Sequence, residues 1–282
     1  ERPRDIFDRR RRAMMRDRMR PDDATENFIA PIMAESLIDR LAMVQRRFAE
    51  ALLIGAHDLG LTAALAGQVD RLTLAEAAPR RAARAGALLV AEDRLPFDPH
   101  SFDLIVWPGG LESVNDVPGA LAQCRRILRP DGLLIGSFIG DGSFAGLRRL
   151  LAIMDGDRAA ARMHPQIDVR TAGDLLQRTG WALPVVDAER MALGYRRVGA
   201  MARDLRACGL GRALAGPVPR LARDDVARLD AAFAAAADGD GRVEDSLTLI
   251  HFSGWAPHPS QPKPAKRGSA GASLAAALKA IE

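Results

Sequence analysis

The chain has 282 residues and is 48% hydrophobic, enough for one large domain or a domain with an appended subdomain. Its net charge of +4 and pI of about 9.6 come from arginines concentrated near the N-terminus, a balance open to nucleic acid, a membrane surface, an acidic partner or a solvated basic face. Aromatic content of 5% argues against a base-stacking surface, and the isolated Cys124 and Cys208 give neither a disulfide framework nor a CxxC metal site and suit a reducing compartment. No apolar run near 18 residues exists, so no membrane span is expected, and no signal peptide is visible.

Residues 1–50 read as an Arg-rich helical segment. "IFDRRRRAMMRDRM" mixes Arg9 to Arg12 with Ile6, Phe7, Met14 and Met15, an apolar stripe beside charge. It is expected to dock on a partner or on the domain itself. In "IMAESLIDRLAMVQRRFAEALL", Ile32, Leu37, Leu41, Val44 and Phe48 recur at near-helical spacing. Asn27 or Thr25 is a candidate cap.

From residue 51 strands and helices alternate. "ALLIG", "RLTLAE", "GALLVAED", "SFDLIVWPGG" and "DGLLIGSFIG" read as strands, with "LTAALAG" and "VPGALAQCRRIL" as intervening helices. Continuous apolar strands separated by helices imply a mostly parallel sheet covered on both faces, an α/β class with a Rossmann-like arrangement. Residues 141–250 are richer in helix ("FAGLRRLLAIM", "TAGDLLQRTG", "VARLDAAFAAAADG"), with later strands in "ALPVVDAERMAL" and "RVEDSLTLIHFSGWA". Three regions are expected: the segment 1–50, an α/β domain with a helical insertion over 51–255, and a Pro/Gly/Ser-rich tail over 256–282.

The loop after the first strand, "ALLIGAHDLG", sits where a nucleotide-binding βα unit places its glycines. Gly55 offers close backbone approach to a ligand. Glu76 follows the second strand, about 20 residues on, where an acid can accept from ribose hydroxyls. A helix N-terminal glutamate is the alternative reading. Trp107, Gly109 and Gly110 follow or end the fourth strand, at the ligand side of a parallel sheet. Asp116 reads as a helix cap.

Several stretches together resemble the class I S-adenosylmethionine-dependent methyltransferases. They are "IFDR", "AEDRLPFDPHSFDLIVWPGGLESVNDVPGALAQCRRILRPDGLLIGSFIG", "TAGDLLQRTGW" and "GWAPHPSQPKPAKRGSA". The branch they resemble holds the mitochondrial complex I assembly factor 5 type and the biotin-pathway carrier methyltransferases. The resemblance implies S-adenosyl-L-methionine as cofactor. It puts Gly55 and His57 in the cofactor loop and Glu76 on the ribose. It puts Asp93 on the adenine amino group with Arg94 and Leu95 beside it, and Trp107 in the crevice.

The chain departs from the pattern at three points. The family acid at the end of the first strand falls on Leu53, and two loop glycines fall on His57 and Leu59. Glu112 and Ser113 stand where the assembly-factor branch carries a His-Trp pair. Weakened cofactor binding is therefore expected, and no side chain stands out as a catalytic base. The resemblance implies a methyltransferase-like protein acting on a protein or carrier-bound substrate. Two alternatives remain: arginine hydroxylation in respiratory complex I assembly, and a non-catalytic partner-binding relative. A protein partner and no nucleic acid are expected. Ala and Arg usage suits a bacterial cytoplasm, with the mitochondrial matrix as the eukaryotic counterpart.

Overall fold

The computed structural model describes residues 5–19, 27–55, 59–156, 161–207, 209–217 and 221–262. Seven strands form one sheet: β1 Phe48–Ile54, β2 Val69–Glu76, β3 Leu88–Leu89, β4 Phe102–Pro108, β5 Leu128–Ile139, β6 Ala182–Tyr195 and β7 Val243–Trp255. Their order is β3-β2-β1-β4-β5-β7-β6. The first five are parallel, and β7 runs antiparallel to both β5 and β6. This is the expected mostly parallel α/β sheet. Strand order reverses at β1, which opens a crevice beyond the carboxyl ends of β1 and β4.

The sheet is buried on both faces because β1 and β4 carry continuous apolar runs over residues 51–54 and 104–108, with Glu50 and Asp103 confined to the entering ends of the two strands. Leu52, Ile54, Ile105 and Trp107 pack on one side with Leu121 and Cys124 of α5 (Val117–Ile127). Leu53, Leu104 and Val106 pack on the other with Leu37 and Leu41 of α2 (Ile29–Ala42) and Leu61 of α3 (Leu59–Ala66). Asp116 caps α5 as expected, accepting from Gly119 N–H at 2.8 Å.

α2 ends at Ala42, earlier than the periodicity through Val44 and Phe48 predicts. Phe48 instead opens β1 opposite Val69 of β2, and there it is 2% exposed. Strand pairing overrides a helical spacing of apolar residues. Asn27 Oδ1 accepts from Ala30 N–H at the start of α2; Thr25 lies outside the described residues. The third strand is two residues long and lies at the sheet edge, with both leucines exposed. α4 (Pro79–Ala85) is the helix that the alternative reading of Glu76 implied, and α8 (Val198–Ala207) was not expected. α6 (Ala145–Asp155), α8 and α9 (Arg223–Ala236) build a second apolar cluster against β7, and α7 (Val169–Arg178) returns to the main core. No helix among the described residues is long and apolar enough to cross a membrane.

The Arg-rich segment docks on the domain. α1 (Arg9–Arg18) is capped by Asp8, which accepts from Arg11 N–H. Asn115 grips the chain just before it, accepting from Phe7 N–H at 2.8 Å and donating to Phe7 C=O at 3.0 Å. Phe7 is buried against Leu214 and edge-on to His164. Ile6 and Met14 of the anticipated stripe remain exposed.

Candidate functional site

α1 crosses the crevice, and helical spacing decides what it presents there. Arg9, Arg12 and Arg16 stand at i, i+3 and i+7, on one helix face. Each meets an acid at the carboxyl end of a strand. Arg16 donates from Nε to Glu76 Oε1 at 2.9 Å and from Nη2 to Oε2 at 3.2 Å. Arg12 makes a bidentate pair with Glu92, both bonds at 2.9 Å. Arg9 makes a bidentate pair with Asp93, Nη1 to Oδ1 at 3.1 Å.

Glu76 closes β2 and is fully buried. Besides Arg16, it accepts from Arg81 Nε at 3.3 Å and from the backbone N–H groups of Ala77 and Ala78. These five donors fill a carboxylate's acceptor capacity. Glu76 thus stands at the carboxyl end of β2, beside the crevice, and also serves the chain leading into α4. Burial alone would lower the Arg16 pKa. Glu76 and Glu92 outweigh it and hold the guanidinium above its ordinary range. Asp93 is held below the usual carboxylate range, chiefly by its bond to Arg9.

The wall after β4 is built from backbone. Gly109 and Gly110 both have φ of 93°, a region that favours glycine. Arg12 donates to Gly110 C=O and to Ser113 Oγ, both at 2.8 Å. A Cβ on Gly110 would lie 2.3 Å from Arg16 Nη1, so the guanidinium rests on the glycine backbone. Glu112 Oε2 accepts from Gly110 N–H at 3.0 Å. Burial pushes the Glu112 carboxyl up, against the opposing effects of its backbone bonds and of Arg12 and Arg16. Among these groups the remaining cavity is about 40 Å³. That is room for a few water molecules, well short of the roughly 300 Å³ of a small-molecule pocket.

Of the anticipated site residues, Gly55, Glu76 and Asp93 stand at the ends of β1 and β2 and after β3. Gly55 has φ of 79° and ties β1 to β2 through Ala75 C=O. His57 lies outside the described residues. Arg94 is exposed, and Leu95 is buried in the main core. Trp107 is also in that core and fully buried, because its register position within β4 turns it toward α5 rather than the crevice. Leu53, at the family's acid position, is fully buried among leucines. Arg12, Arg16 and Glu92 were missed, although arginines three and four apart were a readable signal. Among the described residues no group of three or more His, Cys, Asp or Glu side chains is placed to hold a metal ion.

Residues 60–136 match the family model described as "Methyltransferase domain". The chain is similar to the mitochondrial arginine-hydroxylase NDUFAF5 of Danio rerio, with 28% identity covering 96% of this chain and 88% of that protein. It is 36% identical to a malonyl-[acyl-carrier protein] O-methyltransferase of Laribacter hongkongensis over 62% of this chain and 58% of that one. It is 30% identical to RP459 of Rickettsia prowazekii, a methyltransferase by name, over 58% of this chain and 72% of that one. The solved structure of YcgJ from Bacillus subtilis superposes with a TM-score of 0.52 at 15% identity, covering 79% of this chain and 99% of that one; it speaks for the fold alone. On these relationships and on its sheet topology, the chain belongs to the class I S-adenosylmethionine-dependent methyltransferase family, in the branch that holds the NDUFAF5 and malonyl-carrier-protein methyltransferase proteins.

Proposed function

We propose that the chain is a S-adenosylmethionine-dependent methyltransferase-like protein acting on a protein or carrier-bound substrate, with weakened affinity for the cofactor. The observation that carries this reading is the pair of acids Glu76 and Asp93 at the crevice of a methyltransferase-type sheet. Glu76 would take the ribose hydroxyls, Asp93 the adenine amino group, and Gly55 would give backbone approach. The bound cofactor would supply the electrophilic methyl group; orientation would be the chain's main contribution.

The residues as arranged do not fit that group. Both carboxylates are already paired with arginines of α1. Leu53 also removes an ionised acceptor. Hydrogen bonds to such a group are worth roughly 1.5–3 kcal/mol, which corresponds to about tenfold to a hundredfold in affinity.

A second reading is the assembly-factor role, arginine hydroxylation of a respiratory-complex subunit. Its support is extent: the match to NDUFAF5 covers 96% of this chain, against 62% for the carrier methyltransferase. A non-catalytic partner-binding relative is the third, supported by Leu53 and by Glu112 and Ser113 beside the crevice. A bacterial cytoplasm is the proposed setting, or the mitochondrial matrix in a eukaryote.

Calorimetric titration of the full chain with S-adenosylmethionine tests the reading. The expected dissociation constant is in the high micromolar range, an order-of-magnitude figure from the same arithmetic. Low micromolar binding that survives Glu76→Ala overturns the assignment of the crevice. Absence of binding at millimolar ligand favours the non-catalytic relative.

A further inference from the structure

We propose that Arg9, Arg12 and Arg16 set the nucleoside affinity of this crevice by competing for its acids, so that α1 must leave before a nucleoside enters. The inference rests on the cofactor reading of Glu76 and Asp93 above.

The two ends of a nucleoside, ribose diol and base amine, would each need a carboxylate as acceptor. Arg16 occupies the first and Arg9 the second, 7 residues apart on one helix face. Arg12, between them, fixes the helix to Glu92 and to the backbone after β4. A nucleoside and α1 cannot both be satisfied by the same oxygens. Glu76 already has at least five donors, so a further one finds no lone pair in place.

The displacement is chemically reasonable. Glu76 would keep Arg81 and two backbone N–H donors when Arg16 departs. The guanidinium would pass from a buried ion pair into water, where it is well hydrated. A buried pair is weakly favourable in net terms, because Coulomb attraction is set against the desolvation of both ions. Such a contact can hold a helix in place and still yield to a ligand. Its attachment points outside the crevice, Asn115 on Phe7 and Leu214 around it, would keep the segment tethered.

The test uses S-adenosylhomocysteine as probe on the full chain. Calorimetry compares wild type with Arg12→Gln/Arg16→Gln, and each with its Glu76→Gln derivative. The expected result is at least tenfold tighter binding in the arginine variant, abolished by Glu76→Gln. Equal or weaker binding in a folded arginine variant overturns the proposal and leaves the cofactor reading standing. A second arm locks the helix instead of loosening it. In Met15→Cys/Gly211→Cys, made on a Cys208→Ser background, the cysteines replace residues already in contact: a Cβ on Gly211 would lie 3.8 Å from Met15 Cγ. The oxidised lock should bind the probe at least tenfold more weakly than the same protein reduced. Equal binding in the two redox states contradicts displacement. If no variant binds at millimolar probe, the cofactor reading fails and the competition fails with it.

Discussion

Arg16 and Glu76 form an ion pair in which the arginine is 4% and the glutamate 0% exposed, at the carboxyl end of β2. The pair ties the N-terminal helix to the end of β2, so the acid that suggests cofactor binding is also a structural anchor. Glu76→Gln removes the charge facing Arg16 and Arg81, both buried. Breaking a buried pair from one side costs about 3–5 kcal/mol. Chemical denaturation should show a loss of that order; a change below about 0.5 kcal/mol, the surface-site scale, would place the pair in water.

Asn115 is the residue that holds the segment in place before α1 begins, by two hydrogen bonds to Phe7. Asn115→Ala should leave the core intact and loosen α1. Trypsin cleavage within residues 9–18 should then accelerate several-fold at unchanged Tm. Cleavage at the wild-type rate would mean that the arginine contacts alone fix the helix.

Leu53 lies in a leucine-lined core, beside Leu37, Leu61 and Leu104. Leu53→Asp places a carboxylate there. Burying a polar group without a partner costs a few kcal/mol, or roughly 6–12 °C in Tm for a chain of this size. The family acid therefore cannot be restored by this single change without loss of stability. A Tm within 2 °C of wild type, well under that shift, would show that the aspartate reaches solvent or a donor.

His164 supplies a pH prediction. Burial holds its pKa down at about 4, and its Nε2 accepts from Ala213 N–H at 3.0 Å beside Phe7. The unfolded chain titrates near 6.5. Below that pH the unfolded state takes up the proton more readily, so stability falls from about pH 6.5 to pH 4. The limit is roughly 3 kcal/mol, at 1.36 kcal/mol per unit. Burial also lowers the His251 pKa, which adds in the same direction. His164→Gln keeps an acceptor and removes the titration. Its stability should fall less than that of wild type between pH 7 and pH 4.5; parallel curves would assign the effect elsewhere.

The sheet was legible because β1 and β4 carry unbroken apolar runs over residues 51–54 and 104–108, a pattern that forces burial on both faces. The positions of Glu76 and Asp93 were legible from their places after strands. Their partners were not, since an arginine run reads equally as a solvated face. What decides is where α1 is docked, and its entry is held by hydrogen bonds between Asn115 and Phe7 over more than 100 residues of separation. Trp107 shows the other limit. A strand end lies near a crevice, yet register alone decides whether its side chain faces ligand or core.

The competition between arginines and ligand requires that α1 and a nucleoside exclude one another. Hydrogen exchange of the amides of residues 9–18 in the wild-type chain measures this directly, without and with saturating S-adenosylhomocysteine. Faster exchange in α1 on ligand addition, with exchange in β4 unchanged, is the predicted result. Slower exchange in α1 would make it a lid that closes over the ligand, and unchanged exchange at saturation would place the ligand elsewhere; either contradicts the account.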